Sequence, residues 1–595
     1  MPSPEAPLHA LIDFADPALH CAFGAPLRVH AAHRLGDVRH VLDAVADEAA
    51  QGRWCVGYLR YEAAPAFDRA LVTHPHDPAD GPLAWFGVHE TALPLPAPLG
   101  DGARIDWGTL PPRARFDADI AAILEAIAAG ALYQVNHTAT VHGRLREGNA
   151  RALFDALRRA QPRAFAAFID AGGEQVLSAS PELFFHWADR RLEARPMKGT
   201  AARGATADED AANAAALRAS EKERAENLMI VDLIRNDLSH VAELHSVRVP
   251  QLFALQAWPT VWQMSSVVEA RTRPGITLAD VFAALFPCGS VTGAPKVQAM
   301  RLIRRLEPGP RGVYCGAVGV VQPGGAATFN VPIRTVRLAG DRASCGLGSG
   351  ITADARADGE WREWATKRGF VERASEPFRL LETMRLEGGA WRERAAHVAR
   401  LQRAAVHFGF AFDAALVQAA LDALAATHRQ GTWRVRLLLD VAGTPSLEAF
   451  AHADHAGPPP RVQLADAPIA TSEFVRFKTT RRAHYERFAP READVFDTLL
   501  WNDAGELTEF TRGNVCVQRA DGTWVTPPLR CGLLDGIGRA AALRGGRVRE
   551  AVVRLDELPQ ARALAFVNSL RGWLPVTPAW PWSAHAAMRE IASDV

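Results

Sequence analysis

The sequence predicts a mixed α/β (α+β) chain of two domains, and three observations carry that prediction. The chain has 595 residues, more than a single hydrophobic core usually serves. Short apolar runs of strand character alternate with stretches of helical periodicity, the pattern of sheets covered by helices. Around VERASEPF (371–378) a helical pattern stops at Pro377 and a series of short strands begins at RLLETMRLEGG. The boundary is therefore placed there, giving domains 1–373 and 376–595.

The elements read as follows. WCVGYLRYEA (54–63) and LAWFGVHE (83–90) are strand-like and are followed by the Pro-rich connector PLPAPLG (94–100). FDADIAAILEAIAAG (116–130) has helical spacing, whereas VLSASPELFFHW (176–187) and GVYCGAVGVV (312–321) read as strands. SEKERAENLMIVDLIRNDL (220–238) is a helix whose Ser220 and Glu223 have capping-box spacing. GEWREWATKRG (359–369) is a second charged helix. Beyond the boundary come a helix near 394–409, a strand at 433–440, strand-turn-strand around 497–518 and a Gly-opened helix at 536–545.

Composition narrows the function classes. Apolar residues make up 48% and charged residues 23%, ordinary globular values. Lys plus Arg and Asp plus Glu both number 67, so no basic surplus exists to condense on nucleic acid or an anionic membrane, and neither is expected as a partner. No apolar run reaches the roughly 18 residues of a membrane span. The opening MPSPEAPLHALIDFADPALH lacks the basic patch and apolar stretch of a secretory leader, so a cytoplasmic location is expected. The seven cysteines (21, 55, 288, 315, 345, 516, 531) contain no CxxC pair and read as core thiols. Of the 67 basic residues only five are lysine, at 198, 222, 296, 367 and 478. Arginine serves wherever charge alone suffices, so a surviving lysine marks a place for an amine that sheds its proton and acts as nucleophile or Schiff base. All five lie in Gly-, Glu- or Thr-rich segments that read as sites.

Carboxylate spacing points to a metal. Glu223 and Glu226 lie three apart on one helix, and Glu360, Glu363 and Lys367 fall at i, i+3 and i+7 on the other. Two such faces brought together offer hard oxygen ligands suited to Mg2+; each taken singly also has the pattern of a solvated charged face. Between them, FPCGSVTGAPKVQAM (286–300) spaces its glycines and Lys296 wrongly for a nucleotide-binding P-loop. CGLGSGITAD (345–354) is Gly-rich enough for backbone N–H groups to approach an anion.

RPMKGT (195–200), AENLMIVDLIRNDL (225–238), FPCGSVTGAPK, RGVYCGAVG (311–319), IRT (333–335) and GSGITAD (348–354) follow one another in the order seen in chorismate-utilising enzymes. Residues 1 to about 370 resemble that family, which includes the aminodeoxychorismate, anthranilate and isochorismate synthases. The resemblance implies a two-layer α/β sandwich with large antiparallel sheets, Mg2+ as cofactor and chorismate as substrate. Lys198 stands where anthranilate synthases carry Ala and resembles the aminodeoxychorismate synthases. It is therefore implied as the covalent nucleophile that attacks C2 of chorismate while the C4 hydroxyl leaves, ammonia then entering at C4. Glu182 in SASPELFF (178–185) matches the family's general acid; its plain alternative is a strand-edge surface carboxylate. By similarity Glu226 and Glu363 are the Mg2+ ligands, and Glu223 and Glu360 hold metal waters. Arg334, Tyr314 and Lys367 receive substrate carboxylates with the backbone of Gly348, Ser349 and Gly350, and Thr200 and Gln263 line the substrate side. Gln263 replaces a histidine common in relatives, and an amide donates a hydrogen bond but carries no proton. No cysteine sits in a glutaminase context, so ammonia is expected from a separate glutamine amidotransferase subunit or from free ammonia.

A second constellation lies past the boundary. In EFVRFKTTRRAHYERF (473–488), Lys478 has Arg476, Arg481 and Arg482 as neighbours, whose charges should lower its pKa. GELTEFTRGNVCVQ (505–518) offers Glu509 in a turn between strands. GLLDGIGRAAALR (532–544) opens a helix with glycines, a ready phosphate cradle. From about 376 to 595 the chain resembles pyridoxal-phosphate enzymes of fold type IV, a family of lyases and aminotransferases. The resemblance implies pyridoxal 5'-phosphate on Lys478, with Glu509 at its pyridinium nitrogen. Arg400 in HVARL (397–401) and the backbone at Ile537 and Gly538 would hold the phosphate; Thr511, Asn514 and Ser569 in NSLRG (568–572) would line the pocket. Gly538 replaces a hydroxyl residue and Asp535 a proline, which would cost a hydrogen bond and put an acid near the phosphate.

Together the two resemblances imply synthesis of 4-amino-4-deoxychorismate followed by loss of pyruvate to give 4-aminobenzoate for folate synthesis. The alternatives are a second domain that is another aminotransferase or a non-catalytic scaffold, and a first domain making anthranilate or isochorismate. Dimerisation through the second domain is compatible with any of these.

Overall fold

The computed structural model describes residues 8–99, 102–204, 207–258, 261–470 and 472–580. The start of the segment read for a leader (1–7) and the end of the second domain (581–595) lie outside the described residues. The chain divides into two compact units, Met1–Pro377 and Phe378–Val595.

In the first unit the described residues form a nine-stranded and a ten-stranded sheet, antiparallel throughout. They pack face to face through Ile12, Phe14, Phe23 and Val176 of one and Tyr58, Val318 and Val320 of the other. Helices cover the outer faces. Ala150–Ala160 buries Leu153, Phe154 and Leu157 against Phe168, Leu177 and Val336. Glu221–Ser239 buries Ile230, Val231, Ile234 and Leu238 beside Phe282 and Phe286. Its N-cap Ser220 accepts the N–H of Glu223 at 3.3 Å, half of the expected capping box. Ala357–Ala374 buries Trp364 against Phe116 and Ile351.

Two segments depart from the sequence reading, and both shape the site. VLSASPELFFHW is not one strand but two, Gln175–Ser180 and Leu183–Ala188, which belong to different sheets. Pro181 lacks a ladder N–H, so pairing breaks there and Glu182 sits where the chain crosses between sheets. The Gly-rich GLGSG, read only as backbone that could approach an anion, is the body of strand Arg342–Ile351, paired with Gln134–Glu147. Its glycines permit close approach: a Cβ at Gly346 would strike the Tyr314 ring, and one at Gly348 would lie 2.6 Å from the Thr138 methyl.

The second unit has a four-stranded antiparallel sheet and an eight-stranded mixed sheet among its described residues. In the former, Leu380–Glu387 and Thr432–Leu439 pair beneath helix Arg394–Phe408. In the latter, Arg461–Leu464 runs parallel to both Val495–Trp501 and Gly572–Pro578, and Leu507–Phe510 and Gly513–Gln518 form a tight hairpin. The helix Ile537–Arg544 opens at Gly536. All seven cysteines are free and buried. No helix among the described residues is long and apolar enough to cross a membrane.

Candidate active sites

Lys198 lies in the edge strand Met197–Ala202, where pairing with Val261–Arg271 slips between Met197 and Thr200. An irregularity of this kind re-aims a side chain, and Gly199 supplies the positive φ of 88° that it needs. A Cβ on Gly199 would also come within 3.0 Å of the Glu223 carboxylate. The amine of Lys198 lies 2.7 Å from the point a Cβ on Gly350 would occupy, so strand Arg342–Ile351 admits it only because that residue is glycine.

Glu182 is 3% exposed, and its Oε1 has no hydrogen-bond partner. Burial pushes its carboxyl up to about 7, with the Ser290 hydroxyl, Lys198 and the Met197 backbone pulling the other way. A strand-edge surface carboxylate is thereby ruled out. Arg334, in a left-handed conformation at φ 51°, spreads over the Phe370 ring at 5.4 Å. Burial lowers its pKa to about 10, and among the described residues no carboxylate pairs with it.

Helices Glu221–Ser239 and Ala357–Ala374 bring Glu223, Glu226, Glu360 and Glu363 into one electrostatic neighbourhood. Burial raises Glu223, Glu226 and Glu360, and the other carboxylates of the set add to the rise. Burial acts the same way on Glu363, but Lys367 at 2.6 Å more than offsets it and holds that carboxyl low. Among the described residues no three Asp, Glu, His or Cys side chains converge as a closed metal cage. The donors nevertheless fit Mg2+, which is usually held by one or two carboxylates and retains its waters. Glu360 Oε2 is buried without a partner and needs a donor or a cation.

The remaining residues of the first constellation are placed unequally. Lys367 donates to the Gly348 carbonyl at 2.7 Å, so its amine is shared between that group and Glu363. Ser349 is engaged by the Trp364 indole at 3.1 Å. Tyr314 packs under Gly346. Thr200 pairs across the ladder with Gln263, whose amide is turned onto the Met197 sulfur. Lys296 departs from expectation: its amine donates to Asp237 at 2.8 Å and to the Leu285 carbonyl at 3.1 Å, a buried tie between helices. Sequence reasoning missed Gln134 of YQVNH (133–137). It is 0% exposed, both carboxamide atoms lack partners, and its Nε2 lies 2.7 Å from the same Gly350 Cβ point that Lys198 approaches.

In the second unit Lys478 accepts the Leu381 N–H at its carbonyl, 3.0 Å, which ties it to the first strand of the smaller sheet. Burial lowers its amine to about 7, helped by Arg482 and Arg400 and opposed by Glu382 and Glu509. The sequence reading invoked Arg476, Arg481 and Arg482; burial is the larger cause, Arg476 is exposed and the Arg481 guanidinium lies over Phe474 at 4.6 Å. Glu509 accepts from the Tyr485 hydroxyl at 2.7 Å, Asn514 Nδ2 at 3.3 Å and the Leu534 N–H at 3.2 Å. Burial raises it to about 7 against those donors and Lys478.

Arg400 is a buried arginine of helix Arg394–Phe408. Its Nε and Nη2 donate to Glu382 at 2.8 and 2.6 Å, and its Nη1 donates to the Asp535 carbonyl at 2.9 Å. His397 shares Glu382 at 2.7 Å. The acid at Asp535 is drawn toward Arg403 at 3.4 Å, which offsets the charge expected to trouble a phosphate. Gly538 is required by packing, since a Cβ there would meet the Asn568 backbone at 2.6 Å; the absent hydroxyl is the consequence. Thr511 gives its hydroxyl to Asp497 at 2.5 Å, and Ser569 gives its own to the Thr383 carbonyl at 3.4 Å. A lysine driven toward neutrality, a buried carboxylate and a glycine-built helix start fit pyridoxal phosphate. Tyr485, Glu382 and His397 escaped the sequence reading because their partners lie far along the chain.

Residues 94–373 match the chorismate binding enzyme model, and residues 379–578 match that of amino-transferase class IV. An aminodeoxychorismate synthase of Streptomyces griseus is 47% identical over 39% of this chain and 31% of its own length. Anthranilate synthase component 1 of Methanothermobacter thermautotrophicus is 32% identical over 58% of this chain and 77% of its own. The chain belongs to the chorismate-binding enzymes and carries a class IV aminotransferase domain after its chorismate-binding domain. Anthranilate synthase component I from Streptococcus pneumoniae shares the fold, with a TM-score of 0.52 at 24% identity over 62% of this chain and 93% of that one. The chain spans about a third of the length of the Streptomyces synthases, 31% and 30%.

Proposed function

We propose that the first unit converts chorismate and ammonia to 4-amino-4-deoxychorismate, and that the second removes pyruvate from it to give 4-aminobenzoate. The observation that carries the first step is the amine of Lys198, set between Gly350 and the carboxylates of Glu182, Glu223, Glu226 and Glu363. Lys198 attacks C2 of chorismate as the C4 hydroxyl leaves, taking the proton of Glu182. Ammonia then adds at C4 and displaces the lysine, so one difficult substitution becomes two easier ones. Arg334 receives a carboxylate of the substrate. Glu226 and Glu363 would hold Mg2+, with Glu223 and Glu360 on its waters; the ion would neutralise substrate carboxylate charge. The ammonia comes from a separate glutamine amidotransferase, in keeping with the component-type synthases among the relatives.

In the second unit Lys478 would hold pyridoxal phosphate, with Arg400 and the N–H groups of Ile537 and Gly538 on its phosphate and Glu509 at the ring nitrogen. When bound, that cofactor supplies an electron sink for charge developing at substrate C4. Lys478 removes the C4 proton, the C3–O bond breaks so that the side chain leaves as enolpyruvate and tautomerises to pyruvate, and aromatisation of the ring drives the step. The test is product analysis by mass spectrometry with chorismate, Mg2+, ammonium and pyridoxal phosphate. Wild type is expected to give 4-aminobenzoate and pyruvate, Lys478→Ala to stop at aminodeoxychorismate, and Lys198→Ala to lose amination by about 10³-fold or more. Anthranilate or isochorismate as product overturns the first assignment, and a wild type that stops at aminodeoxychorismate overturns the second.

A further inference from the structure

The turn Asn568–Gly572 carries Arg571, to which the proposed cofactor site assigns no role. The turn borders the pocket: Asn568 backbone abuts Gly538, and Ser569 bonds the carbonyl of Thr383, two residues along the strand from the Leu381 that holds Lys478. Arg571 is half-buried, with its guanidinium 5.5 Å from the Phe496 ring. Arg512, anchored where its carbonyl accepts Asn568 Nδ2 at 3.2 Å, lies over that same ring at 4.9 Å. Arg434 stands close enough, with Arg512, to depress Arg571 beyond what burial does, while Asp454 pulls the other way.

The neighbouring acids are already engaged. Asp497 takes Arg512 Nε at 3.2 Å and two groups of Thr511, and Asp454 is gripped by both amino groups of Arg385 at 2.6 and 2.8 Å. Arg512 has Asp497 as its counter-ion, whereas among the described residues Arg571 and Arg434 have no carboxylate within ion-pair distance. Neighbouring guanidiniums repel one another, and a bound carboxylate relieves that repulsion through paired N–H···O bonds. The charges that dominate at Lys478 are Arg482, Arg400, Glu382 and Glu509, and Arg571 is not among them.

We propose that Arg571, with Arg512 and Arg434 around it, binds a carboxylate of the second unit's substrate remote from its amine and so selects a cyclic dicarboxylic amine over a simple α-amino acid. An α-amino acid carries its carboxylate on the carbon bearing the amine, whereas aminodeoxychorismate carries two carboxylates away from its C4 amine. The inference rests on the lyase reading of this unit and deepens it.

The experiment supplies aminodeoxychorismate to the full chain and compares wild type with Arg571→Ala, Arg571→Lys and Arg434→Ala. It records KM, kcat and the Kd for pyridoxal phosphate from cofactor absorbance, which also reports that each variant is folded. Arg571→Ala is expected to raise KM about 10- to 100-fold, with Arg571→Lys between it and wild type and with Kd for the cofactor within about twofold. An unchanged KM overturns the inference. So does a loss of cofactor affinity matching the rise in KM, which would assign Arg571 to the phosphate. A wild type that leaves aminodeoxychorismate intact removes the lyase reading, and this inference falls with it.

Discussion

The amine of Lys198 and the carboxamide Nε2 of Gln134 meet at Gly350: each lies 2.7 Å from the point where a Cβ on that glycine would stand. Gln134 is wholly buried with both amide atoms unpaired, an arrangement that costs about 1–3 kcal/mol per group unless a ligand satisfies it. Gln134→Leu, similar in size, is therefore expected to hold or raise Tm while amination falls at least about tenfold. A variant that loses stability and keeps its activity would show that the amide serves the fold instead. Gly350→Ala is expected to abolish amination by displacing Lys198.

Glu182 gives the first unit a pH signature. With its carboxyl near 7, the proton-donating form is depleted about tenfold for each pH unit above that value, so kcat for amination should fall as pH rises through about 7. Glu182→Gln should lose about 10²- to 10⁴-fold and flatten that limb. The linkage has a definite sign. The folded-state pKa lies above the ordinary carboxyl value of 4.5, so the stability contributed by the proton is complete below 4.5 and lost as pH rises through about 7. Tm of Glu182→Gln should accordingly fall less than that of wild type over this window.

Gly538→Ser restores the hydroxyl that the phosphate cradle lacks, and it should still be harmful. Its Cβ would meet backbone atoms of Asn568 at 2.6 to 2.8 Å, and backbone yields little. A cost of about 1–3 kcal/mol in thermal unfolding is expected, with weaker retention of pyridoxal phosphate on dialysis. Tighter cofactor binding by this variant would mean that the turn is placed differently.

Lys296→Ala separates a structural lysine from a chemical one. It strands the Asp237 carboxylate, almost fully buried, and should cost about 3–5 kcal/mol of stability. Replacing both partners with apolar residues should recover much of that loss. Activity per folded molecule should change far less than in Lys198→Ala. A large loss of amination at wild-type Tm would place Lys296 in the chemistry.

The balance between what the sequence determined and what folding decided follows from the range of the interactions. Helix Glu221–Ser239, its Ser220 cap, the helix starting at Ile537 and the break near Pro377 were legible because they depend on neighbours within a few residues. The sequence also carried the residue types of the proposed sites: a lysine kept against a strong arginine bias at 198 and 478, and glutamates at helical spacing. Tertiary structure alone decided which groups meet. It placed Glu182 at a crossover between sheets, which no periodicity marks, because Pro181 ends one ladder and the next begins in another sheet. It made GLGSG a strand, since those glycines admit Tyr314, Thr138, Gln134 and Lys198 from distant segments. It turned Lys296 into an ion pair, joined Glu382 and His397 to Arg400, and gave Lys478 its low pKa chiefly by burial rather than through adjacent arginines. Desolvation and pairing depend on what closes over a residue in space, and a linear pattern carries only the part of that environment contributed by its immediate neighbours.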